Sequence, residues 1–115
     1  MIIDFGRINE ELKKEISNII SYELKNPNAT GLISVTEVKI TPDLKYAKVF
    51  VSILNAKSDQ ETLEALKQSV GYIRSEVAKR VNLRITPELI FEQDTSLEYG
   101  AKIDSIIEKL KNEGE

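Results

Sequence analysis

The sequence predicts an α+β fold: a three-stranded mixed sheet with helices on one face, in the order α-β-β-α-kink-α-β-α. Three observations predict it. In three long segments apolar residues recur every three or four positions, which is the spacing of one helix face. Between and after them lie shorter runs with the two-residue alternation of half-buried strands. The stretch joining the second and third strands is a long helix, and a crossover of that kind favours a parallel relation somewhere in the sheet. It leaves open whether the third strand lies beside the first or the second. At 115 residues the chain is expected to form a single domain, residues 1–115, with short frayed termini at about 1–6 and 112–115.

Each element has its own signal. Ile8, Leu12, Ile16, Ile19 and Leu24 keep helical spacing and set the first helix at residues 7–24. Lys25-Asn26-Pro27-Asn28 ends it, because proline cannot continue the hydrogen-bond ladder. Ile33 to Thr41 reads as a strand with a phase fault. Ile33 and Val35 share one phase, Val38 and Ile40 the other, and a bulge near Thr36-Glu37 reconciles them. Thr41-Pro42-Asp43-Leu44 is turn chemistry. Tyr46 to Leu54 then returns as the second strand, antiparallel to the first, with Ala47, Val49, Val51 and Ile53 facing the core.

Ser58 and Glu61 have capping-box spacing and start the long helix, whose stripe is Leu63, Leu66, Val70, Ile73, Val77 and Val81. Gly71 interrupts it at a cost of about 1 kcal/mol relative to alanine, yet the stripe continues in phase. The chain is therefore expected to kink around Ser69, Val70 and Gly71 without leaving the helix. If the kink depends on Gly71, Gly71→Leu lowers both stability and binding. Glu88 to Gln93 forms the third strand, and Asp94-Thr95-Ser96 supplies caps for a last helix carrying Leu97, Ile103, Ile106, Ile107 and Leu110.

Composition narrows the function. There are no cysteines and no histidines, so disulfides, thiolate or imidazole metal sites and His-assisted nucleophiles are excluded. No apolar run reaches the length of a membrane span, and the N-terminus is too short and too acidic for a signal peptide, so a cytoplasmic, soluble protein is expected. Carboxylates are plentiful, but Asp94 and Glu98 are explained by capping, and no phosphate-binding loop is present. The reading is therefore of no enzyme, no catalytic residue, no metal and no cofactor.

The charge pattern points to a polyanion. Between Lys67 and Arg84 stand five basic residues (Lys67, Arg74, Lys79, Arg80 and Arg84) and one acid, a local net of +4 in a chain of net −3. Lys67, Gly71 and Arg74 are spaced to share a helix face, and two cations flanking a residue without a side chain let a phosphate backbone come close. Lys45 and Lys48 on the hairpin extend the set of candidate RNA contacts. Tyr72 is either a stacking residue or a tyrosine at the core margin.

Four stretches together resemble a known family. They are Thr41-Pro42-Asp43-Leu44-Lys45-Tyr46-Ala47-Lys48-Val49, Gly71-Tyr72-Ile73-Arg74, Leu83-Arg84-Ile85-Thr86-Pro87-Glu88-Leu89-Ile90-Phe91 and Asp94-Thr95-Ser96. In this order and spacing the chain resembles the ribosome-binding factor A family of bacterial small-subunit maturation factors, from about Arg7 to Leu110. The resemblance implies a type II KH-like domain without the usual GxxG loop, the loop with which KH domains clamp a nucleic-acid backbone. In its place the family has an Ala-x-Gly kink, here Ser69-Val70-Gly71. Family members often carry Asp-Pro-Arg after the first helix, where this chain has Asn26-Pro27-Asn28.

The resemblance further implies a non-catalytic factor, a monomer, that binds the immature small (30S) ribosomal subunit and its 16S rRNA. It implies help in maturing the precursor 5′ region, with importance in cold adaptation, and contact with assembly GTPases. The alternative is a protein-interaction module that recognises a ribosomal protein or an assembly GTPase without touching RNA. Steep salt dependence separates the two, since phosphate contacts release counterions. Reversing Arg74 and Arg80 to glutamate is expected to weaken binding without unfolding the domain.

Overall fold

The computed structural model describes residues 4–96. Its elements are α1 (Phe5–Tyr22), β1 (Leu32–Ile40), β2 (Tyr46–Leu54), α2 (Asp59–Gln68), α3 (Val70–Arg80) and β3 (Glu88–Gln93). The expected last helix lies outside the described residues. α1 begins earlier than its apolar spacing indicates, because the Asp4 carboxylate accepts the Arg7 N–H at 3.0 Å and caps it. Phe5 and Gly6 therefore belong to its first turn and not to a frayed lead. At the other end Asn26 accepts the Asn28 N–H through its side chain and the Ala29 N–H through its carbonyl, closing a turn around Pro27.

The sheet has the order β1-β2-β3, so β3 lies beside β2 and runs parallel to it, while β1 is antiparallel. Val35 pairs with Val51 and Glu37 with Phe50, which leaves Thr36 as the extra residue of a bulge. The bulge turns Val38 and Ile40 to the same buried face as Val35. Thr36 itself bridges across the central strand. Its hydroxyl lies 2.7 Å from Asp94 Oδ2 and 3.3 Å from the Phe50 carbonyl. The β1–β2 turn closes through the Leu44 N–H to the Thr41 carbonyl at 2.8 Å. Leu44 takes a φ of +64° there, a conformation uncommon for leucine, and its side chain packs against the core.

All three helices cover one face of the sheet. α1 lies on β1 and touches α3, and the α2–α3 pair passes over β2 and β3. Leu12, Ile16, Ile19, Val49, Val51, Leu66, Ile73 and Val77 have no exposed surface and form the centre of the core. Burial of such side chains stabilises the fold by roughly 1.5–3 kcal/mol each. One polar residue joins them: Thr62, fully buried, donates to the Thr30 carbonyl at 2.9 Å and accepts the Thr30 N–H at 3.2 Å. This ties the approach to β1 onto the start of α2 and satisfies the buried hydroxyl.

Next to that tie, Gly31 has a φ of +87°, and a Cβ placed on it would stand 2.6 Å from the Leu54 carbonyl oxygen and 2.8 Å from Ala56. Both atoms are backbone and cannot step aside. Gly31→Ala is therefore expected to lower the unfolding free energy by about 1–3 kcal/mol, measured by urea unfolding. A variant as stable as the wild type would mean that the turn at Gly31 relaxes freely.

Asp94 gives a second test. Its carboxyl lies below its ordinary value of 3.8, first through the Ser96 side chain and then through Thr36 and the Ser96 N–H. A depressed folded value means the contribution is present above pH about 3.8 and is lost as pH falls further. The melting-temperature gap between wild type and Asp94→Asn should be steady at neutral pH and should shrink below pH about 3.8. A gap that keeps its size throughout acid titration would rule this out.

Candidate nucleic-acid interface

The kink forms at Ser69, where α2 ends and α3 begins. Ser69 has φ −90° and ψ 3°, and its N–H is shared between the Ala65 and Leu66 carbonyls at 3.1 Å each. Its own carbonyl accepts the Ile73 N–H at 3.0 Å, so the ladder resumes at once. Val70 follows as the first residue of α3, half-buried against the core. Gly71 sits in the first turn of α3. Among the described residues Gly31 is the glycine whose φ is positive, and a Cβ on Gly71 would meet nothing within 4 Å. The condition under which Gly71→Leu lowers stability is therefore not met: neither backbone conformation nor crowding requires a glycine there.

The open space over Gly71 belongs to a groove. One part, of about 250 Å³, is lined by Val70, Gly71, Arg74, Glu88 and Leu89. A second, of about 350 Å³, is bounded by Gly71, Arg74, Ser75, Ala78 and Thr86. A third, of about 330 Å³, runs on from Val70 and Leu89 to Lys67, Ile90, Phe91 and Glu92. The three parts share lining residues, so a shallow channel runs between the kinked helices and β3, with Gly71 on its helix bank.

Arg74 stands in that channel in a fixed position. Its Nε donates to the Pro87 carbonyl at 3.2 Å and its Nη2 to the Thr86 carbonyl at 2.7 Å. Carbonyls orient the guanidinium without cancelling its charge. Among the described residues no carboxylate lies within ion-pair distance of Arg74, Lys45, Lys48 or Arg84. Lys67, in the last turn of α2, lines the part of the channel beside Val70 and Leu89, reaches Glu64 at 3.9 Å and remains half exposed. Lys45 comes near because its carbonyl accepts the Glu88 N–H at 2.8 Å, which joins the hairpin turn to the start of β3. Arg84 is exposed on the loop between α3 and β3, beside the exposed Ile85.

Three candidate contacts stand apart. Lys48 alternates with Ala47 and Val49, which are buried, so it faces the side of the sheet away from the helices. Lys79 extends from the last turn of α3 and pairs with Glu76 at 3.6 Å. Arg80 turns to α1: it pairs with Glu23, with Glu76 at 3.5 Å and with Glu15 at 4.0 Å. Glu23, followed by the Coulomb attraction of Glu76 and Glu15, raises its already high pKa. Its charge is outweighed locally, so of the candidate RNA contacts Arg80 is the one the structure ties most closely to neighbouring carboxylates. Sequence spacing could not show this, since Glu15 and Glu23 come from another part of the chain.

The element order, the parallel β3 and the helix pair kinked at Ser69 define a type II KH-like domain. A family model described as ribosome-binding factor A matches residues 5–107. The chain is 57% identical over 107 residues to ribosome-binding factor A of Clostridium botulinum strain Hall, covering 92% of this chain and 89% of the relative. It is also 57% identical to the Clostridium tetani protein of the same name, over 92% of this chain and 88% of that one. The crystal structure of ribosome-binding factor A from Thermus thermophilus superposes with a TM-score of 0.71 at 23% identity, covering 79% of this chain and 97% of that one. A Thermus thermophilus homology model of the factor, fitted into a cryo-electron-microscopy map of a 30S complex, gives 0.64 at 24% identity, covering 76% and 91%. The chain belongs to the ribosome-binding factor A family. It is a binding protein and not an enzyme.

Arg80 offers a test of its ion pairs. Arg80→Glu would gather four carboxylates between α1 and α3, and should lower the melting temperature, more at low ionic strength than in 1 M salt, where the Debye length is about 3 Å. A variant that melts like the wild type at low salt would return Arg80 to the open surface.

Proposed function

We propose that this chain is an assembly factor that binds the immature small ribosomal subunit through its 16S rRNA and assists maturation of the precursor 5′ region, a role of most weight in the cold. It acts in the cytoplasm and as a monomer. Family membership supports the ribosomal target, and the related Thermus factor has been placed in a complex with the 30S subunit. The observation that carries the RNA reading is Gly71. An exposed helix position held as glycine, with open space above it and no structural need for the absence of a side chain, is suited to close approach by a backbone.

Phosphates would follow the helix bank, between Lys67 and the fixed Arg74, with Lys45 and Arg84 at the end of the channel. Glu88 and Glu92 line the opposite bank. Their carboxylates repel phosphates and accept hydrogen bonds from exposed base edges, which orients a strand across the channel. Recognition of this kind reads backbone and shape more than sequence.

Cosedimentation with small subunits over a salt series tests the proposal. Wild-type binding should fall steeply with salt. Gly71→Leu should be more stable by up to about 1 kcal/mol, from helix propensity alone, and should bind more weakly at every salt concentration. A Leu variant that binds like the wild type would remove Gly71 from the interface. Binding that ignores salt would favour a mainly apolar protein partner.

A further inference from the structure

On the opposite side of the kink lies a cleft of about 600 Å³ between the loop after α1 and the start of α3. Ser69 and Tyr72, one helical turn apart, form one wall, and Leu24 and Pro27 form the other. Tyr72 is 46% exposed and lines the cleft. It is the aromatic residue of the cleft's lining. The Ser69 hydroxyl makes no capping bond to α3 and is left for another partner. Asn26 is held in place, because its Nδ2 donates to the Ala65 carbonyl at 3.4 Å and its Oδ1 accepts the Asn28 N–H at 3.0 Å.

The charges at the rim are unequal. Glu23 is occupied by Arg80, whereas Lys25 has no carboxylate within ion-pair distance among the described residues. The cleft thus combines an aromatic face, two apolar side chains opposite it, a free hydroxyl and one uncompensated cation. This is the chemistry that takes a planar heteroaromatic ring joined to a phosphate. Proline or arginine side chains of a peptide also pack on tyrosine, but they bring no phosphate to Lys25.

We propose that this cleft receives one unpaired nucleobase of the bound RNA, stacked on Tyr72, with the adjoining phosphate at Lys25. The inference rests on the RNA reading above and adds to it a base-binding position distinct from the phosphate channel at Gly71. The strand would pass over the kink, its backbone against Gly71 on one side and a single base turned into the cleft on the other.

The chain contains no tryptophan, so Tyr72→Trp places a single indole, excited selectively near the red edge of tyrosine absorption, in the cleft while keeping a stacking surface. Titration of that variant with protein-free 16S rRNA should quench its emission through stacking. Tyr72→Leu, which keeps apolar contact but loses the ring, should melt like the wild type and bind the RNA about tenfold more weakly. Tyr72→Phe should bind like the wild type. Bound RNA that leaves the indole emission of Tyr72→Trp unquenched overturns the inference, as does wild-type affinity in Tyr72→Leu. If Gly71→Leu loses affinity while Tyr72→Leu keeps it, the base site falls and the phosphate channel stands. A wild-type chain that binds no RNA removes both.

Discussion

The constraint on which the rest of the structure depends is the parallel pairing of β3 with β2. A hairpin cannot connect parallel neighbours, so the chain must travel back along the sheet before β3 begins. The α2–α3 pair makes that journey, and its kink at Ser69 allows both halves to stay against the sheet. Arg74 then holds the end of the crossover by binding the carbonyls of Thr86 and Pro87, just before β3 starts. The same residue that positions the strand thereby keeps a positive charge in the channel beside it. A change at Arg74 therefore alters both the hold on the strand and the charge of the channel.

The two arginines of α3 have the same chemistry and different surroundings. Arg74 binds neutral carbonyls and keeps its charge available. Arg80 is placed among three carboxylates, Glu15, Glu23 and Glu76, and serves to fasten α1 to α3. Arginine suits both settings because its planar fork donates in several directions while remaining protonated. A local excess of basic residues therefore overstates the positive surface. Among the described residues the part of that excess that remains uncompensated is smaller: Arg74 in the channel and Arg84 on the loop before β3.

The glycines divide in a similar way. Gly31 is required by the fold, since its φ is positive and backbone atoms occupy the place of a Cβ. Gly71 is required by neither, and its helical position would be better filled by almost any other residue. Beside it, an exposed tyrosine over a cleft is a second surface feature that core packing does not explain.

Much of the architecture was legible from the sequence because it depends on local periodicity. The spacing of Ile8, Leu12, Ile16 and Ile19 marks a helix face, and the broken alternation around Thr36-Glu37 marks the bulge that the register confirms. Turn residues at Thr41 to Leu44 and the glycine in a continuing apolar stripe mark the turn and the kink. Strand order, by contrast, came only from the tertiary structure, because the apolar pattern of β3 fits either neighbour. The same holds for the charges. Helical spacing predicts a shared face for Lys67 and Arg74, which the structure places on α2 and α3, and whether a cation is free depends on what other elements bring to it. Glu15 and Glu23 reach Arg80 only once α1 packs on α3, and Asn26 and Pro27 meet Tyr72 only once the chain has folded across the kink.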